Sequence, residues 1–186
     1  CICNTSLKDA YTAVKEVDLC DLPDLQDNMA ASVELKRPFA KFDVIASDME
    51  EALVRTDNNL DYNTELVYKL WLPVAYNVAE QKPVEFSQEF LSRASTRIYN
   101  GKSLLLAGDY VFVDEERDDA NVIVSVTLKN KDNLFLKTIP DITIPLKKNQ
   151  RTVVKGEFLT HDFGEDGGFE IDDRFDDEII IHIPNK

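Results

Sequence analysis

Glycine is scarce in this chain of 186 residues, with six in total, and there are only two histidines, two methionines and one tryptophan. So few glycines leave little room for a phosphate-cradling loop, and no P-loop spacing occurs. The histidines, His161 and His182, offer few general bases, and neither a G-x-S-x-G elbow nor a cysteine-nucleophile signature accompanies them. No catalytic residue is expected. The three cysteines, Cys1, Cys3 and Cys20, all fall in the first twenty residues, far from both histidines. A structural zinc site wants four ligands at suitable spacing, so no metal and no cofactor are expected. A disulfide from Cys20 to Cys1 or Cys3 stays open, with one thiol left over. No apolar run approaches the roughly 20 residues of a membrane-spanning helix.

Positive charge is also in short supply. Lysine and arginine number 21 against 35 aspartates and glutamates, giving a net charge of −14 and a pI near 4.5. Such a field repels nucleic acid and anionic lipid, so neither is an expected partner of the bulk surface. Contact with a membrane is expected only through a lipid anchor. Cys1 is the candidate for one, because a mature bacterial lipoprotein begins with a lipidated cysteine; an arbitrary starting point is the alternative. The chain does not begin with Met and carries no signal peptide, so a processed or truncated product is expected.

What is present reads as a globular domain: 44% of residues are apolar and 30% charged. At this length roughly 70% of the unfolded surface can be buried. Residues 6–17, "SLKDAYTAVKEV", space their apolar positions as a short helix would. Residues 18–31 are acidic, broken by Pro23, and read as a loop or linker. From Ser32 the period falls to two. Ala40, Phe42, Val44 and Ala46 share one face of a half-buried strand. Ser47 and Glu50 have capping-box spacing ahead of a short helix. "TELVYKLWLPVAYNV" is apolar on both faces and predicts a strand covered on both sides, with Trp71 packed in the core. Residues 84–95 are ambiguous between helix and strand. "KSLLLAGDYVFV" gives a strand interrupted at Gly108. "NVIVSVTLKNKDNLFLKT" is the clearest hairpin, turning at "NKDN". Ile142, Ile144 and Leu146 alternate, then the basic run Lys147–Arg151 interrupts, then Val153 to Leu159 resume. The chain closes on "EIIIHIP", with Ile179, Ile181 and Ile183 on one face and His182 facing outward. Eight or nine short strands and few helices predict an all-β sandwich or barrel-like domain.

Carboxylates abound in loops 114–119 and 162–178, where solvated charge is the default. The second loop resembles a calcium loop in composition but lacks its ligand spacing. Asn4-Thr5-Ser6 is a formal glycosylation sequon.

Four segments, in order, resemble a known family. "VELKRPFAKFDVIASD" resembles the "LKRPFAQ" strand of two-domain fimbrillin-like cell-surface lipoproteins of Bacteroides-type bacteria. "YKLWLPVAYNVAEQKPVE" is similar to their "LPxAYNVLTG" segment, and "LLLAGDYVFVDEE" to their "YLAMNYVLA" strand. "IPLKKNQRTVVKGEFLT" resembles their "VPLQRNYRTNIYGNLLT" strand-turn-strand. The resemblance spans about Ser32 to the C-terminus. It implies a β-sandwich of transthyretin-like topology with short helical insertions over residues 32–186, preceded in 1–31 by the end of another domain or a linker. It makes residues 8–19 a strand rather than a helix, and the basic run a turn between core strands rather than a docking spot. It implies a secreted, outer-membrane-linked pilus subunit, anchor or adhesin without catalysis. Its partners would be copies of itself or other pilus subunits, joined by strand insertion. Ile179, Ile181 and Ile183 are then the candidate donor strand, and an ordinary last strand in its own sheet is the alternative. A surface module binding a host glycan or protein is the rival function, and exposure of Trp71 and Tyr76 would favour it.

Overall fold

Alternation along "FAKFDVIA" builds the first strand, β1 (Phe39–Ala46), with Ala40, Phe42, Val44 and Ala46 all wholly buried on one face. The computed structural model describes residues 10–17, 32–56, 60–88, 91–114, 120–161 and 178–182, the last by their backbone alone. After β1 come α1 (Met49–Arg55), β2 (Tyr62–Tyr68), β3 (Leu72–Asn77), β4 (Lys82–Ser87), β5 (Leu91–Ser95), β6 (Arg97–Tyr99) and β7 (Ser103–Phe112). The rest are β8 (Asn121–Asn130), β9 (Phe135–Pro145), β10 (Arg151–Gly156) and β11 (Glu178–His182). They form a five-stranded sheet ordered β11-β10-β1-β7-β6, a four-stranded sheet ordered β5-β2-β8-β9, and the separate hairpin β3-β4. The fold is all-β and sandwich-like, with one short helix among the described residues.

A single apolar cluster joins the two larger sheets. Phe42, Leu106 and Val154 come from one; Leu66, Val124, Leu128, Ile139, Ile142 and Ile144 come from the other. Each such large side chain contributes about 1.5–3 kcal/mol by leaving water. Two polar groups bridge the layers inside this core. Thr64 Oγ1 donates to the Leu106 carbonyl at 2.7 Å, and the Tyr68 hydroxyl donates to Asp109 Oδ2 at 2.9 Å. Buried polar atoms need such partners, so each bridge also fixes how the sheets slide against one another.

The centre of the five-stranded sheet is β1, antiparallel to β7 and parallel to β10. Gly108 does not interrupt β7; the strand runs through it, opposite Asp43. A Cβ at that position would land on Asp43 Oδ1 and 2.8 Å from the Phe42 carbonyl oxygen. Glycine is therefore required for close approach rather than for a turn. The β8–β9 hairpin forms where expected, from Val122 paired with Ile144 to Lys129 paired with Phe135. Its turn is held by Asn130 Oδ1, which accepts from the amides of Asp132 and Leu134, both at 2.9 Å. The ambiguous 84–95 stretch contributes strands on both sides of residues 89 and 90.

Three local expectations are corrected. Residues 10–17 are not helical; Thr12 makes an isolated antiparallel bridge to Lys36. Tyr, Thr and Val in that segment suit extended backbone at least as well as helix. The α1 N-cap is Asp48, not Ser47, and it makes no capping bond of its own. Its Oδ2 instead accepts from the Leu159 amide at 2.9 Å and from the Thr160 amide and hydroxyl at 2.6 and 2.8 Å. Finally, "TELVYKLWLPVAYNV" is not one strand. It breaks at Lys69–Trp71 and sends β2 and β3 into different sheets.

Candidate functional site

The break at Lys69–Trp71 creates the most distinctive surface of the molecule. Beyond it, β3 and β4 pair from Leu72 with Ser87 to Asn77 with Lys82. Asn77 Oδ1 accepts from the Ala79 and Glu80 amides and shapes the turn. Glu85 has φ of 56°, a left-handed residue inside β4 where the pairing opposite Val74 lapses without a change of register. Tyr76 ties the hairpin to the body, stacking on Phe112 with centroids 5.5 Å apart and rings 25° from parallel. Lys148, from the basic run, lies 5.8 Å from the Tyr76 ring centroid. Tyr76 is thus half-buried, and its hydroxyl is buried without a hydrogen-bond partner.

Trp71 is not in the core. It is 58% exposed, and Phe86 on β4 is 54% exposed. Both line a cavity of about 300 Å³ between the hairpin and the ends of β7, β8 and β9. Asp114 and Asn121 form part of its polar wall. A continuous apolar run suggests burial, but two prolines, Pro73 and Pro83, sit on this hairpin. Proline in strands favours edges, and that was the available signal that the run leaves the core. Phe86, Asp114 and Asn121 carried no signal of their own.

The basic run makes the expected turn over Lys147–Gln150, leading from β9 into β10 at Arg151. Asn149 has φ of 60°, and the Gln150 amide donates to the Lys147 carbonyl at 3.0 Å. The turn is pinned to β1: the Asn149 amide donates to the Phe39 carbonyl, and the Lys41 amide to the Gln150 carbonyl. Arg151 reaches across to Asp43, with Nε 2.7 Å from Oδ2, and Lys41 Nζ stands 3.2 Å from the same oxygen. Arg151 also donates to the Tyr99 hydroxyl at 3.3 Å. Burial pulls the Arg151 pKa down, but the Tyr99 hydrogen bond and the Asp43 carboxylate outweigh it and hold the net value above the ordinary arginine range. The role of this knot is structural: it stitches β1, β6 and β10 together.

The predicted last strand is the edge of the five-stranded sheet. β11 runs parallel to β10, with Ile179 opposite Thr152 and Ile181 opposite Val154. Both Thr152 and Val154 are buried. Ile183, Cys1, Cys3, Cys20 and the Asn4 sequon lie outside the described residues, as do the loop-or-linker segment 18–31 and nearly all of loops 114–119 and 162–178. His182 is described by its backbone alone. Among the described residues no group of three histidines, cysteines or carboxylates is placed to hold a metal ion, and no helix is long and apolar enough to cross a membrane.

These features define an all-β sandwich with a terminal edge strand and an aromatic-lined groove. Residues 1–184 match the family model described as "Family of unknown function (DUF6562)", and the chain belongs to that family. No curated protein and no solved structure matches it.

Proposed function

We propose that this protein is a non-catalytic structural protein of the cell surface, a fimbrial subunit or anchor that joins copies of itself or other pilus subunits by strand insertion. Its setting would be the outer membrane and the extracellular space, with membrane contact only through a lipid anchor. The observation that carries the reading is the placement of β11. It is an edge strand, parallel to β10, and the covalent route to it runs through residues 157–177. The main-chain bonds that β10 offers at this edge are indifferent to which chain supplies the partner strand. The register places Ile179 and Ile181 beside positions that are buried on β10. Each isoleucine buried there would contribute about 1.5–3 kcal/mol before association costs.

The test compares the chain with and without residues 177–186 for oligomeric state and thermal unfolding. Ladders or filaments from the longer chain, with a folded monomer from the shorter one, support strand insertion. A truncation that merely unfolds a monomer makes β11 an ordinary core strand and removes the proposal's basis.

A second reading is favoured by one specific observation, the exposure of Trp71 and Phe86 beside a groove. In it the sandwich is a surface module that binds a host glycan or protein. Tyr76 does not add to it, since its ring is committed to Phe112.

A further inference from the structure

The groove beneath the β3–β4 hairpin has a chemical character that narrows its ligand. Trp71 and Phe86 keep more than half of their surface exposed although both border a space of about 300 Å³. That volume is at the small end of ligand pockets, enough for one or two sugar-sized rings. Trp71, Phe86, Pro73 and Phe112 supply its apolar lining, and the Phe112 ring also stacks on Tyr76. A carboxylate and an amide, Asp114 and Asn121, also line it, each with an interaction of its own within the chain. Among the described residues that line it there is no lysine, arginine or histidine. With a chain charge of −14, phosphorylated, sulfated and sialylated ligands are disfavoured.

Aromatic side chains beside hydrogen-bonding ones, with no cationic group among the described lining residues, match a neutral pyranose. Its axial C–H face lies on an aromatic ring, and its hydroxyls are satisfied by a carboxylate and an amide. We infer that this groove is a binding site for a neutral carbohydrate, with Trp71 as the stacking platform and Asp114 and Asn121 as hydroxyl partners. The inference rests on the binding-module reading above and is independent of strand insertion.

Trp71 is the sole tryptophan, so its fluorescence reports on this groove alone. The experiment titrates the full chain with maltose, cellobiose, lactose and mannobiose while following Trp71 emission. In parallel, the chain is run through gels containing neutral mannan, amylose, xylan or galactan, with heparin and choline as the anionic and cationic comparisons. The expected result is a saturable emission change with at least one neutral sugar at about millimolar Kd or tighter. Gel retardation by the corresponding neutral polysaccharide should accompany it. Trp71→Ala should abolish the retardation, and Asn121→Ala should weaken it about tenfold, about 1.4 kcal/mol. Both variants should melt within a few degrees of the parent, because neither side chain is buried. Phe86→Ala serves as a second variant of the same wall. Retardation that survives Trp71→Ala and Phe86→Ala would leave a sugar-binding module but overturn this groove as its site. Response to choline or heparin alone would overturn the neutral-sugar assignment. Silence with every probe would overturn both the site and the binding-module reading.

Discussion

Replacing Gly108 by alanine puts a methyl group where Asp43 Oδ1 already lies and 2.8 Å from the Phe42 carbonyl oxygen. Neither neighbour can give easily. The Phe42 backbone is in the middle of β1, paired to β7 on one side and β10 on the other. The Asp43 carboxylate is held by Arg151 and Lys41. Overpacking of this kind costs about 1–3 kcal/mol, and two immobile neighbours place the expectation in the upper half of that range. For a chain of this size the melting temperature should fall by about 4–12 °C. Gly101 is the internal comparison. It has φ of 70°, and a Cβ placed on it would meet nothing within 4 Å, so its demand is conformational rather than steric. Asparagine tolerates that conformation, and Gly101→Asn should stay within about 0.5 kcal/mol of the parent. The assay is urea unfolding followed by far-ultraviolet circular dichroism on both variants. If Gly108→Ala lies within about 0.5 kcal/mol of the parent, the close approach of β7 to β1 at Asp43 is wrong.

Three further outcomes follow from the contacts described above. Tyr68→Phe removes a hydroxyl that donates to the buried Asp109, and a lost hydrogen bond to a charged group should cost about 1.5–3 kcal/mol by urea unfolding; a cost near zero would mean that water or another donor replaces it. Asp48→Ala strips three bonds from Leu159 and Thr160 and should destabilise by about 1–3 kcal/mol, with the turn after β10 losing amide-exchange protection first. The Glu65 pKa is lowered chiefly by its bond to Lys129, against partial desolvation and with help from Arg93. A lowered folded pKa stabilises above the unfolded value and is lost as pH falls through the folded one. The stability gap between parent and Glu65→Gln, about 1 kcal/mol for a surface ion-pair network whose Arg93 is largely exposed, should hold from about pH 7 to 5 and close below the ordinary carboxylate range. A gap that widens in acid would reverse the sign.

Period-two alternation made β1, β8 and the pairing of β8 with β9 legible, although β1 is not the half-buried strand expected: Phe39, Asp43 and Ile45 are buried as well. The turn at Lys147–Gln150 was legible from its polar residues. Trp71 was not, because an apolar run has the same appearance whether it continues in the core or leaves it as a hairpin. The break at Lys69–Trp71 decides between them, and Pro73 and Pro83 on the hairpin beyond it were its only local sign. Asp48 illustrates another limit. The capping-box spacing pointed to Ser47, whereas the cap is Asp48, whose carboxylate is engaged by a turn more than a hundred residues away. The groove joins Trp71, Phe86 and Asn121 from separate stretches, so no local pattern could assemble it.

The placement of β1 has a consequence for how the chain reaches its native state. β1 spans residues 39–46, yet its two neighbours are residues 103–112 and 151–156. The strand at the centre of the larger sheet must therefore wait for residues 151–156 before it has a partner on both sides. Such long loop closures slow folding toward the millisecond-to-second range. During synthesis, the apolar face of β1 leaves the ribosome well before β10 exists to cover its flank. The edge sealed by β11 closes only after β10 has formed, and until then that side of the sheet is open to other strands.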